Sequence, residues 1–89
     1  MKIYILCMES NVDGNITFEV YPYSTLELAR ESLASVKKEL LDESKHFNGA
    51  DLQSDEYEVV DKEDRFFIND HFDDYYEDYY IKEKYLIEK

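Results

Sequence analysis

The sequence predicts one α+β domain over residues 1–89, in the order β-β-α-β-β-β, with a mostly antiparallel sheet and one long helix packed on one face. Three observations carry this expectation. An apolar opening run meets an alternating partner across Asp13-Gly14. A capping box opens a stretch with apolar residues at helical spacing. The C-terminal half then returns to short aromatic runs separated by polar turns. A chain of this length supports one core of roughly 20–25 side chains and has little room for a deep enclosed active site.

Lys2 to Glu9 reads as a central strand, because Ile3, Ile5 and Cys7 make one face apolar and Tyr4, Leu6 and Met8 the other. Asp13-Gly14 tolerates the positive φ of a tight hairpin turn. Ile16 to Tyr21 alternates as the half-buried antiparallel partner, with Ile16, Phe18 and Val20 expected inward and Thr17, Glu19 and Tyr21 outward. Pro22 ends that strand, since it cannot donate to a ladder.

Ser24-Thr25-Leu26-Glu27 is a capping box with Ser24 as N-cap, and Tyr23 and Leu28 occupy the hydrophobic-staple positions. Leu26, Ala29, Leu33, Val36, Leu40 and Phe47 form one stripe, so the helix is expected to run to about Phe47. Lys45 and His46 then suit the negative end of its dipole, and Gly49 suits a left-handed cap. Glu56 to Val60 and Arg65 to Asn69 read as a second hairpin around the polar turn Asp61-Lys62-Glu63-Asp64. Asp70 to Tyr76 reads as a loop. In Glu77 to Glu88, Tyr79, Ile81, Tyr85 and Ile87 alternate as in a strand, while Phe72, Tyr76 and Tyr79 also fall at helical spacing; Tyr and Ile content favours the strand. The sheet face away from the helix is expected to be partly open, carrying Tyr and acidic residues.

Charge is the strongest signal of function. The segment Asp51 to Asp78 holds twelve acids against Lys62 and Arg65, which is −10 of the chain's −12. Acidic tails usually lack large apolar residues and stay disordered, but this block contains Tyr57, Val59, Val60, Phe66, Phe67, Ile68, Phe72, Tyr75 and Tyr76. A folded acidic surface repels nucleic acid and attracts basic proteins. The expected partner is therefore a basic, nucleic-acid-binding protein rather than nucleic acid or a membrane, with a homodimer as a further option. The expected binding residues are Glu56, Glu58, Asp61, Glu63, Asp64, Asp70, Asp73, Asp74, Tyr75, Tyr76, Glu77 and Asp78. In extended chain, Glu56 and Glu58, like Asp61 and Glu63, would stand about 6.6–6.8 Å apart on one face, close to phosphate spacing. The alternative is that the tyrosines fill the core and the acids only keep a small, self-associating domain soluble.

Catalytic and cofactor signatures are absent from the pattern. Gly14 and Gly49 are the only glycines, too few for a phosphate loop, and there is no Gly-x-Ser-x-Gly elbow. Carboxylates in polar runs lack the contrasting environments that acid–base chemistry needs. His71 with Asp73, Asp74 and Glu77 could offer hard ligands, but no second His or Cys stands nearby at ligand spacing. The expectation is a non-enzymatic protein with no cofactor and no metal. Cys7, the only cysteine, lies in an apolar run and suits a small buried hydrophobe in a reducing cytoplasm. That run is too short for a membrane span and has no small-residue cleavage site.

The opening Lys2-Ile3-Tyr4-Ile5-Leu6, the junction Val20-Tyr21-Pro22-Tyr23-Ser24-Thr25-Leu26-Glu27 and the terminal Tyr80-Ile81-Lys82-Glu83 give a layout that resembles small acidic proteins of bacteriophages and bacterial mobile elements. That diffuse group includes inhibitors of host defence, anti-CRISPR proteins among them, and some are nucleic-acid mimics. The resemblance covers the plan of the chain without a diagnostic motif. It implies an inhibitor and carries over no functional residue.

Overall fold

The computed structural model describes residues 1–85. Its elements are β1 (Lys2–Val12), β2 (Asn15–Tyr23), α1 (Leu26–Glu43), β3 (Tyr57–Lys62), β4 (Arg65–Asp70) and β5 (Tyr75–Tyr85). All strand pairs are antiparallel, in the order β2-β1-β5-β4-β3. This is the α+β plan expected from the sequence. The C-terminal segment is a strand through Tyr85; Ile87, assigned to the same strand, lies outside the described residues.

The β1–β2 turn follows from its residues. Asp13 and Gly14 both take positive φ, 53° and 88°, as a two-residue hairpin loop requires. The β3–β4 turn is tighter than expected: Asp61 and Lys62 stay in β3, and Lys62 pairs with Arg65 across Glu63-Asp64. Pro22 does not end β2; it pairs with Ile5 one residue before the strand finishes. β2 is an edge strand, where a missing N–H costs no ladder bond.

The helix is shorter than its apolar stripe. Thr25, not Ser24, is the N-cap: its hydroxyl accepts the Leu28 amide at 3.1 Å. The Ser24–Glu27 spacing favours Ser24, but with Thr25 as N-cap the N3 position falls on Leu28, so the capping box does not form. At the other end Ser44 turns extended (φ −68°, ψ 133°), and its hydroxyl accepts the amides of His46 and Phe47. Residues 45–49 then form a separate turn, closed by the Ala50 amide on the Phe47 carbonyl and by Gly49 at φ 75°. Phe47 is buried as the stripe required, but from this turn. Lys45 and His46 therefore lie beyond the helix, whose last turn has no base.

Leu6, Leu33, Leu40, Phe47, Phe66, Ile68 and Tyr79 form the core, flanked by Met8, Tyr23, Val36, Leu52, Tyr57, Val59, Tyr75 and Ile81. The register pairs Leu6 with Tyr21 and Met8 with Glu19, so the odd-numbered residues of β2 face the helix. The expected orientation of β2 is thus reversed. Ile16, Phe18 and Val20 lie on the helix-free face, 64%, 54% and 52% exposed. β1 is apolar on both sides, so its own pattern does not say which side the helix covers. Cys7 is buried on that open face, beside Val20 and Tyr80.

Leu33 sits at the centre of the helix face, nearly inaccessible. Leu33→Ala is expected to lower unfolding free energy by about 2–5 kcal/mol in urea titration. A loss below about 0.5 kcal/mol, the size of a surface change, would contradict this core.

Candidate binding surface

The acidic block does not form one surface, because the fold sends its members to different places. Helix cations take three of them. Arg30 Nε lies 2.6 Å from Asp64 and its Nη2 3.5 Å from Glu63, and Lys37 Nζ lies 2.7 Å from Asp61. Arg30 and Lys37 are seven residues apart, two turns along one helix face, so they clamp the β3–β4 hairpin. Asp78 is engaged by Arg65 at 3.1 Å. Such half-exposed pairs contribute about 0–1 kcal/mol each. Their larger effect is to neutralise acids expected to meet a partner. Glu56 and Glu63 lie outside the strand, and Glu58 and Asp61 face opposite sides of the sheet, so the two pairs do not share one face.

Asp70 and Glu77 are buried and cannot form an outer surface. Asp70 ends β4 at 2% exposure. Its Oδ1 accepts the amides of Phe72 and Asp73 at 3.0 and 3.4 Å, and its Oδ2 lies 2.7 Å from His46 Nε2. The His46 ring stacks on Tyr75, centroids 4.4 Å apart, with Phe47 edge-on at 4.7 Å. One carboxylate therefore joins the turn after α1 to the β4–β5 turn. Burial alone would raise its pKa, but the His46 hydrogen bond and the two amides outweigh burial and hold it below the ordinary aspartate value.

Glu77 is buried without a cation. Ser10 Oγ donates to its Oε1 at 2.8 Å, Tyr75 hydroxyl to the same oxygen at 3.2 Å, and Tyr79 hydroxyl to Oε2 at 3.0 Å. Burial, then the Glu77 charge, pushes the Tyr79 phenol far up, so it remains a donor. Tyr75 is raised by the same causes. These two tyrosines are thus internal supports; Tyr76 faces the open side and donates to Glu9 at 2.9 Å.

What remains is an acidic pole. The strand directions bring the β1–β2 turn, the β4–β5 turn and the loop before β3 to the same end as the helix C-terminus. Backbone bonds join them: Asp13 N–H to Asp74 O at 2.9 Å, and His71 N–H to Glu56 O at 2.8 Å. Buried Asn11 adds its Nδ2 to Asp74 Oδ1 at 2.9 Å. Exposed Asp13, Asp42, Glu43, Asp51, Asp55, Asp73 and Asp74 lie here, with half-buried Glu56, opposed by Lys45. Phe72 stands among them, 77% exposed. Of the expected binding residues, only Glu56, Asp73 and Asp74 belong to this pole. Asp13, Asp42, Glu43, Asp51, Asp55 and Phe72 belong to the pole and were not among the expected binding residues. An aromatic residue between His71 and Asp73, inside a polar turn, was the available signal for Phe72.

Among the described residues, His46, Asp70 and Asp73 are metal-type ligands whose donor atoms lie within 4.8 Å of one another. Both Asp70 oxygens already serve hydrogen bonds, so coordination there would have to break the His46 contact. A shallow groove of about 410 Å³ between Arg30, Ala34, Lys37 and Asp61–Glu63 follows the ion-pair clamp and is open to solvent. No described helix is long and apolar enough to cross a membrane. Comparisons with protein-family models, curated proteins and solved structures find no match to this chain.

The depressed Asp70 pKa sets a pH signature. Its stabilisation is fully present above the unfolded value, about 3.9, and is lost as pH falls through the lower folded value. Asp70→Ala is expected to cost about 3–5 kcal/mol at pH 7, because it strands His46 and two amides. In urea titrations the gap between wild type and Asp70→Asn should close as pH falls from about 5 to below the folded pKa. A gap independent of pH would contradict an ionised Asp70.

Proposed function

We propose that this protein is a non-enzymatic binding module that docks a basic protein through its acidic pole and competes there with nucleic acid. The observation that carries this reading is the segregation of seven exposed acids, with one opposing lysine, at the end of α1 and on the adjoining loops, which backbone bonds tie together. The molecule is 49 Å long and 24 by 20 Å across. One strand of DNA carries about seven phosphates over a similar width, at one per ~3.4 Å. The pole thus offers charge comparable to a short run of one backbone. Because its loops are anchored by Asp70, Asn11 and the hairpin turn, little ordering entropy opposes docking. Phe72 supplies the kind of exposed aromatic anchor that concentrates energy in protein interfaces.

The reading fits an inhibitor of a host nucleic-acid-binding or defence protein, the role that the layout's resemblance to phage and mobile-element proteins implies. A basic target would be attracted at long range, with fast, salt-sensitive association. The acids of the β3–β4 hairpin contribute less, because Arg30 and Lys37 neutralise them.

The test is capture of basic nucleic-acid-binding proteins from host lysate by wild type and two charge-matched variants. Asp42, Asp55 and Asp73 changed to Lys removes the pole; Glu19, Glu27 and Glu31 changed to Lys alters net charge equally at other exposed positions. The pole variant should bind the captured protein at least tenfold more weakly, and the control within about twofold. Binding should also weaken from about 0.05 to 0.5 M salt as the screening length shrinks. Equal losses in both variants would reduce the effect to net charge, and no loss in the pole variant would end the proposal.

A further inference from the structure

The helix-free face of the sheet is chemically unlike the rest of the molecule. Register and alternation place twenty residues on it in five cross-strand rows: Ile3 and Lys84; Pro22, Ile5 and Lys82; Val20, Cys7, Tyr80, Arg65 and Lys62; Phe18, Glu9, Asp78, Phe67 and Val60; Ile16, Asn11, Tyr76, Asn69 and Glu58. Side-chain contacts agree with these rows. Arg65 reaches Asp78 and lies over Phe67, and Phe67 meets Tyr76. Four positive and three negative groups give this face +1, in a chain of −12, so all other residues together carry −13. The apolar edge is Ile16, Phe18 and Val20, each more than half exposed. Ile5, Cys7, Phe18 and Val20 line a groove of about 270 Å³ with Lys82 and Lys84.

We propose that this face is a homodimer interface, in which the open sheets of two copies pack against each other. A second copy is the occupant the charges favour. All four bases lie in the first three rows, and all three acids in the last two. A two-fold axis in the plane of the interface, perpendicular to the strands, reverses the row order of the partner. Rows one and two of each face, with Lys84 and Lys82, then lie over rows five and four of the other, with their acids. The middle row meets its own copy, where Arg65 is already paired with Asp78, and the apolar β2 edges meet. Isologous packing of this kind needs a self-complementary patch, and this face is one. The acidic poles are sent to opposite ends of the pair, which limits like-charge repulsion. Twenty positions of about 4.8 by 6.7 Å cover roughly 640 Å² in projection. That is at the lower end of the roughly 600–1,000 Å² per partner, and of the ~20–30 residues a side, of a standard interface. The product is a two-sheet sandwich with sheets about 10 Å apart.

Sedimentation equilibrium tests this with the full chain at about 1–100 µM in ~0.1 M salt, near a Debye length of about 10 Å. Wild type should be a dimer over the upper part of that range. Phe18→Ser with Val20→Ser changes only side chains more than half exposed, so circular dichroism should remain native while the dimer dissociates. Lys82→Glu with Lys84→Glu sets acid against acid and should raise the dissociation constant at least tenfold; adding Glu9→Lys and Glu58→Lys should restore part of it. A wild type monomeric at 100 µM overturns the proposal. So does a dimer that both folded variants leave intact, which would place self-association at a strand edge or another face.

Discussion

The buried Asp70 carboxylate is the contact on which the arrangement of the acidic end depends. A carboxylate 2% exposed is tolerated only if its oxygens are paired, and here one holds two backbone amides while the other meets His46. The amides fix the turn that presents Phe72 and Asp73. The imidazole fixes the turn after α1, which puts Phe47 into the core and lays His46 on Tyr75. Through Tyr75 the same cluster reaches Glu77, so two buried acids and four aromatic or imidazole rings brace one end of the sheet. Loops that would otherwise fray are thereby held against the strands.

A net charge of −12 on a small domain is accommodated by partition. Some acids are neutralised where helix and hairpin meet, two are buried with full sets of donors, and one group is gathered at the loop end, where water and salt screen it. The helix-free sheet face is kept near neutrality. Like charges directly opposite each other on neighbouring strands are destabilising; on this face Glu9 faces Asp78 and Lys62 faces Arg65, and the Arg65–Asp78 ion pair links the two. The result is a molecule with two surfaces of different chemistry: an acidic pole, and a near-neutral sheet face with an apolar β2 edge, its bases toward one end and its acids toward the other.

Much of the backbone plan was legible because it rests on local rules. Asp13-Gly14 specified its turn, and the continuous apolar run of β1 and the alternation in β2 and β5 specified strands. Contextual choices were not legible. Ile16, Phe18 and Val20 alternate correctly, but the side of the sheet taken by α1 depends on how the β2–α1 connection packs against β1, which is apolar on both sides. Phe47 fits the helical stripe, yet Ser44 breaks the helix and returns Phe47 to the core from a turn. The acids between Asp51 and Asp78 look alike in sequence. Their fates are set by distant residues: Arg30 and Lys37 for Asp64 and Asp61, His46 for Asp70, Ser10 for Glu77. The acidic pole is likewise assembled from segments more than fifty residues apart, Asp13 with Asp74 being the clearest case.

Amide chemical-shift mapping would distinguish the two surfaces. One series would dilute the protein alone; the other would add an arginine-rich peptide at low salt. Dilution should move amides of β1, β2 and β5 on the open face, around Cys7, Phe18, Val20 and Tyr80. The peptide should move Asp13, Asp42, Asp55, Phe72 and Asp73 and their neighbours, with shifts abolished by about 0.5 M salt as the screening length shortens. Peptide shifts centred on Asp61 to Asp64, or the same residues responding in both series, would mean that the acidic pole and the open sheet face are not separate binding surfaces.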